Sequence, residues 1–213
     1  MVKCKHINER AVEIIKFAWD SFCKKVGGGA IQVNKEASMQ LHFAHILQQV
    51  MPLITYHKDE YIEIDLETAI FDGEKTREVD IMMTVFKGEY KFRIAIELKC
   101  YREIAASGGK RGATDIFMKD VYQDLDLIEK YCNGNEADYG IVLVMTDLKN
   151  FINPKSKDAK CWDYDISNGT IVQPGHYTTP IGGKEIDIRI NNQYEFNWKE
   201  EGMFYFVLLE RMR

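Results

Sequence analysis

The amino-acid sequence predicts an α/β protein, because segments with helical period and segments with strand character follow one another along the chain. Three observations carry this. Apolar residues recur three and four apart in segments near residues 8–26 and 114–131; two apolar runs, 77–85 and 91–99, flank a short turn containing Gly88; and 139–145 is a dense apolar run ending at Thr146 and Asp147.

In chain order, residues 8–26 are predicted helical, with Val12, Ile15, Ala18, Trp19 and Phe22 on one stripe and Gly27, Gly28 and Gly29 ending it. A second helix is expected from Asn34, as N-cap, to Val50, two residues before Pro52. Residues 61–67 read as extended. The turn of residues 86–90 is short enough to join 77–85 and 91–99 as an antiparallel hairpin. A third helix is expected over 114–131, burying Phe117, Val121, Leu125 and Ile128, before the 139–145 strand. The order is therefore helix, three strands, helix, strand. Beyond residue 160, the alternating runs 184–190, 193–198 and 203–210 suggest further strands.

A chain of 213 residues with no Ser/Pro/Gly-rich linker is expected to form one domain. We divide it into an N-terminal helical extension (1–33), a core (34–147) and a C-terminal β-rich elaboration (148–213). No apolar run approaches the roughly 20 residues of a membrane span, and charged residues from Lys3 to Arg10 leave no signal-peptide core. A cytoplasmic protein with no membrane partner is expected. Five widely spaced cysteines without a C-x-x-C pair indicate neither a disulfide framework nor a structural zinc site.

The chemistry-bearing residues lie on the predicted hairpin. A strand's period of two sends Glu97 and Lys99 to the same face, and the hairpin sets Asp80 across from the Glu97 end. Asp80 interrupts an apolar run, where a carboxylate requires a cation or hydrogen bonds. Magnesium takes one or two carboxylates, keeps several waters and accepts phosphate oxygens. Asp80, Glu97 and the Leu98 backbone carbonyl suit it as ligands, and Lys99 suits the positioning of a water or the stabilisation of developing charge.

With Asp80 followed by Glu97-Leu98-Lys99, the chain resembles the PD-(D/E)XK nuclease superfamily, which includes restriction endonucleases, recombination nucleases and resolvases. Val79 stands where those proteins often carry proline. The resemblance implies a restriction-endonuclease-like core, a mixed sheet flanked by helices, with the acidic and lysine positions on its second and third strands. It also implies that Asp80 and Glu97 hold the metal, Mg²⁺ with Mn²⁺ able to substitute, and that Lys99 is the catalytic lysine of a DNA endonuclease. In that superfamily the first core helix often adds an acidic residue, which points to Glu36; Gln40, one turn on, shares its face. The plain reading of Glu36 is an acidic residue favoured in a helix's first turn.

A net charge of −5 opposes nucleic-acid binding, so local cations have to carry it. Candidates are Arg102, then Lys110 and Arg111 in a loop with Ser107, Gly108, Gly109 and Gly112, and Lys119 and Gln123 one turn apart on the third helix. For the last pair, nearby Asp120, Asp124 and Asp126 favour an ordinary solvated face. Cutting both strands of a duplex is easiest with two sites, so a symmetric homodimer is expected. The alternative is a non-catalytic nucleic-acid-binding or assembly module on the same fold.

Overall fold

The computed structural model describes residues 6–104 and 108–212. Its elements begin with α1 (Ile7–Gly27) and α2 (Glu36–Val50), followed by β1 (Glu60–Phe71), β2 (Thr76–Lys87) and β3 (Tyr90–Tyr101). Helix α3 (Thr114–Asn133) and β4 (Tyr139–Thr146) complete the predicted order. Near the C-terminus come β5 (Ile171–Val172), β6 (Gly175–Tyr177), β7 (Ile188–Ile190), β8 (Tyr194–Glu195), β9 (Lys199–Glu201) and β10 (Phe204–Leu209). The protein is α/β, with a mixed six-stranded sheet in the order β1-β2-β3-β4-β10-β9. Among the described residues, β3 and β4 form the parallel pair of this sheet, as the α3 crossover between them requires.

Both faces of the sheet are covered. Helices α1 and α2 bury Ile15, Phe22, Phe43 and Leu47 against Ile81, Met83, Ile96 and Leu98. On the other side, α3 buries Phe117, Val121, Leu125 and Ile128 against Val142, Val144 and Val207. Helix α3 approaches β4 so closely that a Cβ on Gly140 would stand 2.6 Å from Ile128 Cβ. Among the described residues, no helix is long and apolar enough to cross a membrane.

Several boundaries differ from the sequence reading, for local reasons. The N-cap of α2 is Lys35, not Asn34, because the Ser38 hydroxyl accepts the Asn34 and Lys35 amides at 3.0 and 3.2 Å and returns a hydrogen bond to the Lys35 carbonyl. The β2–β3 turn is tighter than expected: Lys87 pairs with Tyr90, and Gly88 supplies a φ of 58°. The C-terminal run 203–210 does yield a strand, β10, which joins the main sheet beside β4. By contrast, 184–190 and 193–198 yield only the fragments β7 and β8, each paired within a two-stranded ribbon. These ribbons pack on α3, where Glu129 accepts the backbone amides of Asn191 and Asn192 at 2.7 and 2.9 Å and the Tyr194 hydroxyl at 2.9 Å. A buried carboxylate thus fixes this segment more than strand pairing does.

Gly140→Ala is expected to destabilise the fold by about 1–3 kcal/mol through overpacking. Urea unfolding measures this, and adding Ile128→Ala should recover part of the loss.

Candidate active site

The site forms where β2 and β3 part. Their ladder runs from Lys87–Tyr90 to Ile81–Ile96 and stops. Beyond it β2 pairs only with β1, and β3 continues beside β4. The β3 amides facing the gap lose their strand partner, and a buried N–H must find another. Asp80 Oδ2 accepts the Leu98 N–H at 2.6 Å, and Glu36 Oε2, from the first turn of α2, accepts the Cys100 N–H at 3.4 Å. Separation of the strands therefore recruits two carboxylates to one edge. The N–H and C=O of an extended residue leave from the same side, so the Leu98 carbonyl opens on this gap too.

A kink in the neighbouring strand sets Asp80. Glu67, opposite Asp80 in the β1–β2 register, has φ 52°, a left-handed conformation that costs a non-glycine residue energy. The ladder skips this pair, and Gln40 repairs the break by donating from Nε2 to the Asp80 carbonyl at 2.8 Å and to Glu67 Oε1 at 2.6 Å. Gln40 acts here as a splint for the acidic strand. The kink also breaks the alternation of β2: Ile81, Met83 and Val85 face α1 and α2, whereas Val79 packs with Met82, Ala95 and Tyr131 on the α3 side.

Glu97 and Lys99 both face α3, as the period of two predicts. Glu97 is 5% exposed, and its Oε1 accepts the Tyr131 hydroxyl at 3.0 Å. Lys99 Nζ lies 3.2 Å from Asp124 Oδ2 and 3.5 Å from Glu36 Oε2. Asp124 is the residue that sequence reasoning missed, because it was grouped with Asp120 and Asp126 on a solvated face. It is buried, and its position between Val121, Leu125 and Ile128 on the inward stripe was the available signal. The Asp124 Oδ2 atom has no hydrogen-bond partner, since Lys99 is near enough for ion pairing but out of line.

Crowded acids in a dry site resist ionisation. Burial raises Asp80 to about 6, although the Leu98 amide pulls the other way. Burial, joined by the charges of Asp124 and Asp80, pushes Glu97 well above the ordinary carboxylate value. Asp124 is raised by burial to about 7 against the pull of Lys99. For Lys99 burial opposes the charge, but the carboxylates of Asp124, Glu36, Asp80 and Glu97 more than compensate and hold it firmly protonated. The Asp80 and Glu97 carboxyls open on the same cleft.

These groups line a cleft of about 450 Å³ that also includes Lys75 and Arg77 of the β1–β2 hairpin. No protein-family model, curated protein or solved structure matches the chain. The fit to a cation rests on the donors themselves. Among the described residues, no three acidic, histidine or cysteine side chains cluster tightly enough to enclose an ion by themselves. Magnesium needs no such cage, because one or two carboxylates suffice and water fills the other positions. Asp80 and Glu97 supply two carboxyls to the cleft, and Asp124 joins it from α3 through its ion pair with Lys99.

The expected nucleic-acid contacts are scattered. Arg102 is committed to the fold: Nε donates to Asp147 Oδ2 at 2.8 Å, Nη1 to the Val33 carbonyl, and the guanidinium stacks on Phe204. Lys110 is exposed and pairs with Glu103 at 3.3 Å; the Arg111 amide binds the Glu103 carbonyl. Ser107 lies outside the described residues. Lys119 is tied to Asp120 and, at 3.1 Å, to Gln123 Oε1, so that pair is internally satisfied. None of these five residues lines the cleft.

The raised carboxyl groups have a sign that can be measured. A group with a higher pKa folded than unfolded stabilises fully below its unfolded value and loses that contribution as pH rises through the folded one. In EDTA, the melting temperature is expected to fall between about pH 5 and about pH 8, and millimolar Mg²⁺ to restore more of it at the upper end. Asp80→Asn should flatten the slope and remove the Mg²⁺ response. A melting temperature that is flat or rises over this range contradicts the assignment.

Proposed function

We propose that this chain is a Mg²⁺-dependent endodeoxyribonuclease with a restriction-endonuclease-like core, which hydrolyses phosphodiester bonds in DNA. The observation that carries the reading is the convergence of Asp80, Glu97 and Lys99 on one cleft where β2 leaves β3. Asp80, Glu97 and the Leu98 carbonyl would hold the ion, with Glu36 able to join them from α2. Magnesium, when bound, neutralises the scissile phosphate and lowers the pKa of a water, with Mn²⁺ as a substitute.

The side chains divide the remaining work. A lysine held in its charged form is a poor base, so Lys99 acts by orienting the attacking water and stabilising negative charge on the phosphate oxygens. Asp124 keeps the ammonium in place, and Tyr131 fixes the Glu97 carboxylate. The water gives up a proton to solvent as its oxygen forms a new bond to phosphorus, the ester P–O bond breaks, and the leaving oxygen takes a proton from solvent. For duplex DNA, two such sites in a symmetric homodimer would address both strands, and the cytoplasm would supply the Mg²⁺.

Plasmid nicking in millimolar Mg²⁺ tests this reading. Wild type is expected to cut, and Asp80→Ala and Lys99→Ala each to reduce the rate on the order of 10²–10³-fold, with circular dichroism showing both still folded. Failure of wild type to cut in Mg²⁺ or Mn²⁺, or full activity of Asp80→Ala, contradicts it.

A further inference from the structure

The β1–β2 hairpin is built around one buried carboxylate. Asp72 Oδ1 accepts the Glu74 and Lys75 amides at 2.9 and 2.8 Å, and Oδ2 accepts Arg77 Nε. Its side chain has no exposed surface, and although burial works against its charge, Arg77 and these amides hold it well below the ordinary aspartate range. This arrangement closes the turn and fixes the direction of a guanidinium. Among the described residues, nothing hydrogen-bonds Arg77 Nη1 or Nη2, while Nε is engaged.

Where that guanidinium points follows from the kink at Glu67 and Asp80. Counting alternately back from Ile81 would turn Arg77 toward α1 and α2. The observed break moves Val79 to the α3 side, and Arg77, two residues before it, lines the cleft beside Asp80 and Tyr131. Tyr131, whose hydroxyl donates to Glu97, lines the same cleft. Lys75 lines the same wall. The cleft floor holds Glu36, Asp80, Glu97 and Asp124 against Lys99, and Glu78 adds a carboxylate to the wall, so that once ionised these acids repel a polyanion. Arg77 and Lys75 are the cations on the cleft wall that offset this.

We infer that Arg77, oriented by Asp72 and assisted by Lys75, grips a second phosphate of the strand being cut, so that the site takes a polynucleotide and not an isolated phosphodiester. This rests on the nuclease reading and adds a requirement to it. A guanidinium with Nε tied back keeps its Nη groups available as a fork for phosphate oxygens.

The test is binding of a short DNA duplex by fluorescence polarisation, with Ca²⁺ replacing Mg²⁺, together with plasmid nicking. Arg77→Ala is expected to weaken binding about tenfold and to reduce the salt slope by about 1. Replacing phosphates one at a time by neutral methylphosphonates should identify one linkage, not the scissile one, whose loss weakens wild type equally and leaves Arg77→Ala unaffected. That scan on wild type needs no folded variant. If wild type nicks plasmid but no single flanking linkage matters, or Arg77→Ala binds with unchanged affinity and slope, the phosphate grip is overturned and the nuclease reading stands. If wild type neither nicks nor binds, both fall.

Discussion

The site depends on an unmet hydrogen-bonding demand. A strand at the centre of a sheet normally satisfies its amides on both sides, but β3 loses β2 after Ile96 while keeping β4. The Leu98 and Cys100 N–H groups then take the carboxylates of Asp80 and Glu36, from elements on either side of the gap. The same backbone direction places Glu97 and Lys99 on the α3 face, one residue out of phase with those amides. A cluster of four acids around one lysine thus follows from where a ladder ends, and the Glu67 kink with its Gln40 splint holds the ladder open.

Such a cluster opposes folding. Buried acids with raised pKa values are an electrostatic cost that hydrophobic packing on both sheet faces has to offset. The surroundings are closely packed. Gly140 lets α3 lie directly on β4, which carries Asp124 and Tyr131 to the site, and the C-terminal ribbons clamp the outer side of α3 through Glu129. The C-terminal elaboration thereby supports the helix that holds Lys99.

Much of this was legible in the sequence. Strand alternation assigned Glu97 and Lys99 to one face, the Gly88 turn brought Asp80 to the Glu97 end, and helical spacing placed Glu36 and Gln40 on one side of α2. What escaped depended on irregularity. Arg77 was hidden because a kink at Glu67 reverses the phase on which the reading relied. Asp124 was discounted because charged neighbours on a helix usually mark its wet face, and only its place on the apolar stripe argued otherwise. Arg102 was expected to meet nucleic acid, but its partners Asp147 and Val33 are far away in the chain and left no local signal. The short ribbons beyond residue 160 are ordered by contacts with α3, which strand propensity does not encode.

In the proposed function, the parting of β2 and β3 creates a seat for one divalent cation. Anomalous diffraction from crystals soaked in Mn²⁺ tests it most directly. The account predicts an anomalous peak between the carboxylates of Asp80 and Glu97, within coordinating distance of both and beside the Leu98 carbonyl, that disappears in Asp80→Asn. A crystal that takes up Mn²⁺ elsewhere and leaves this pair without density, or a peak that survives that substitution unchanged, would contradict it.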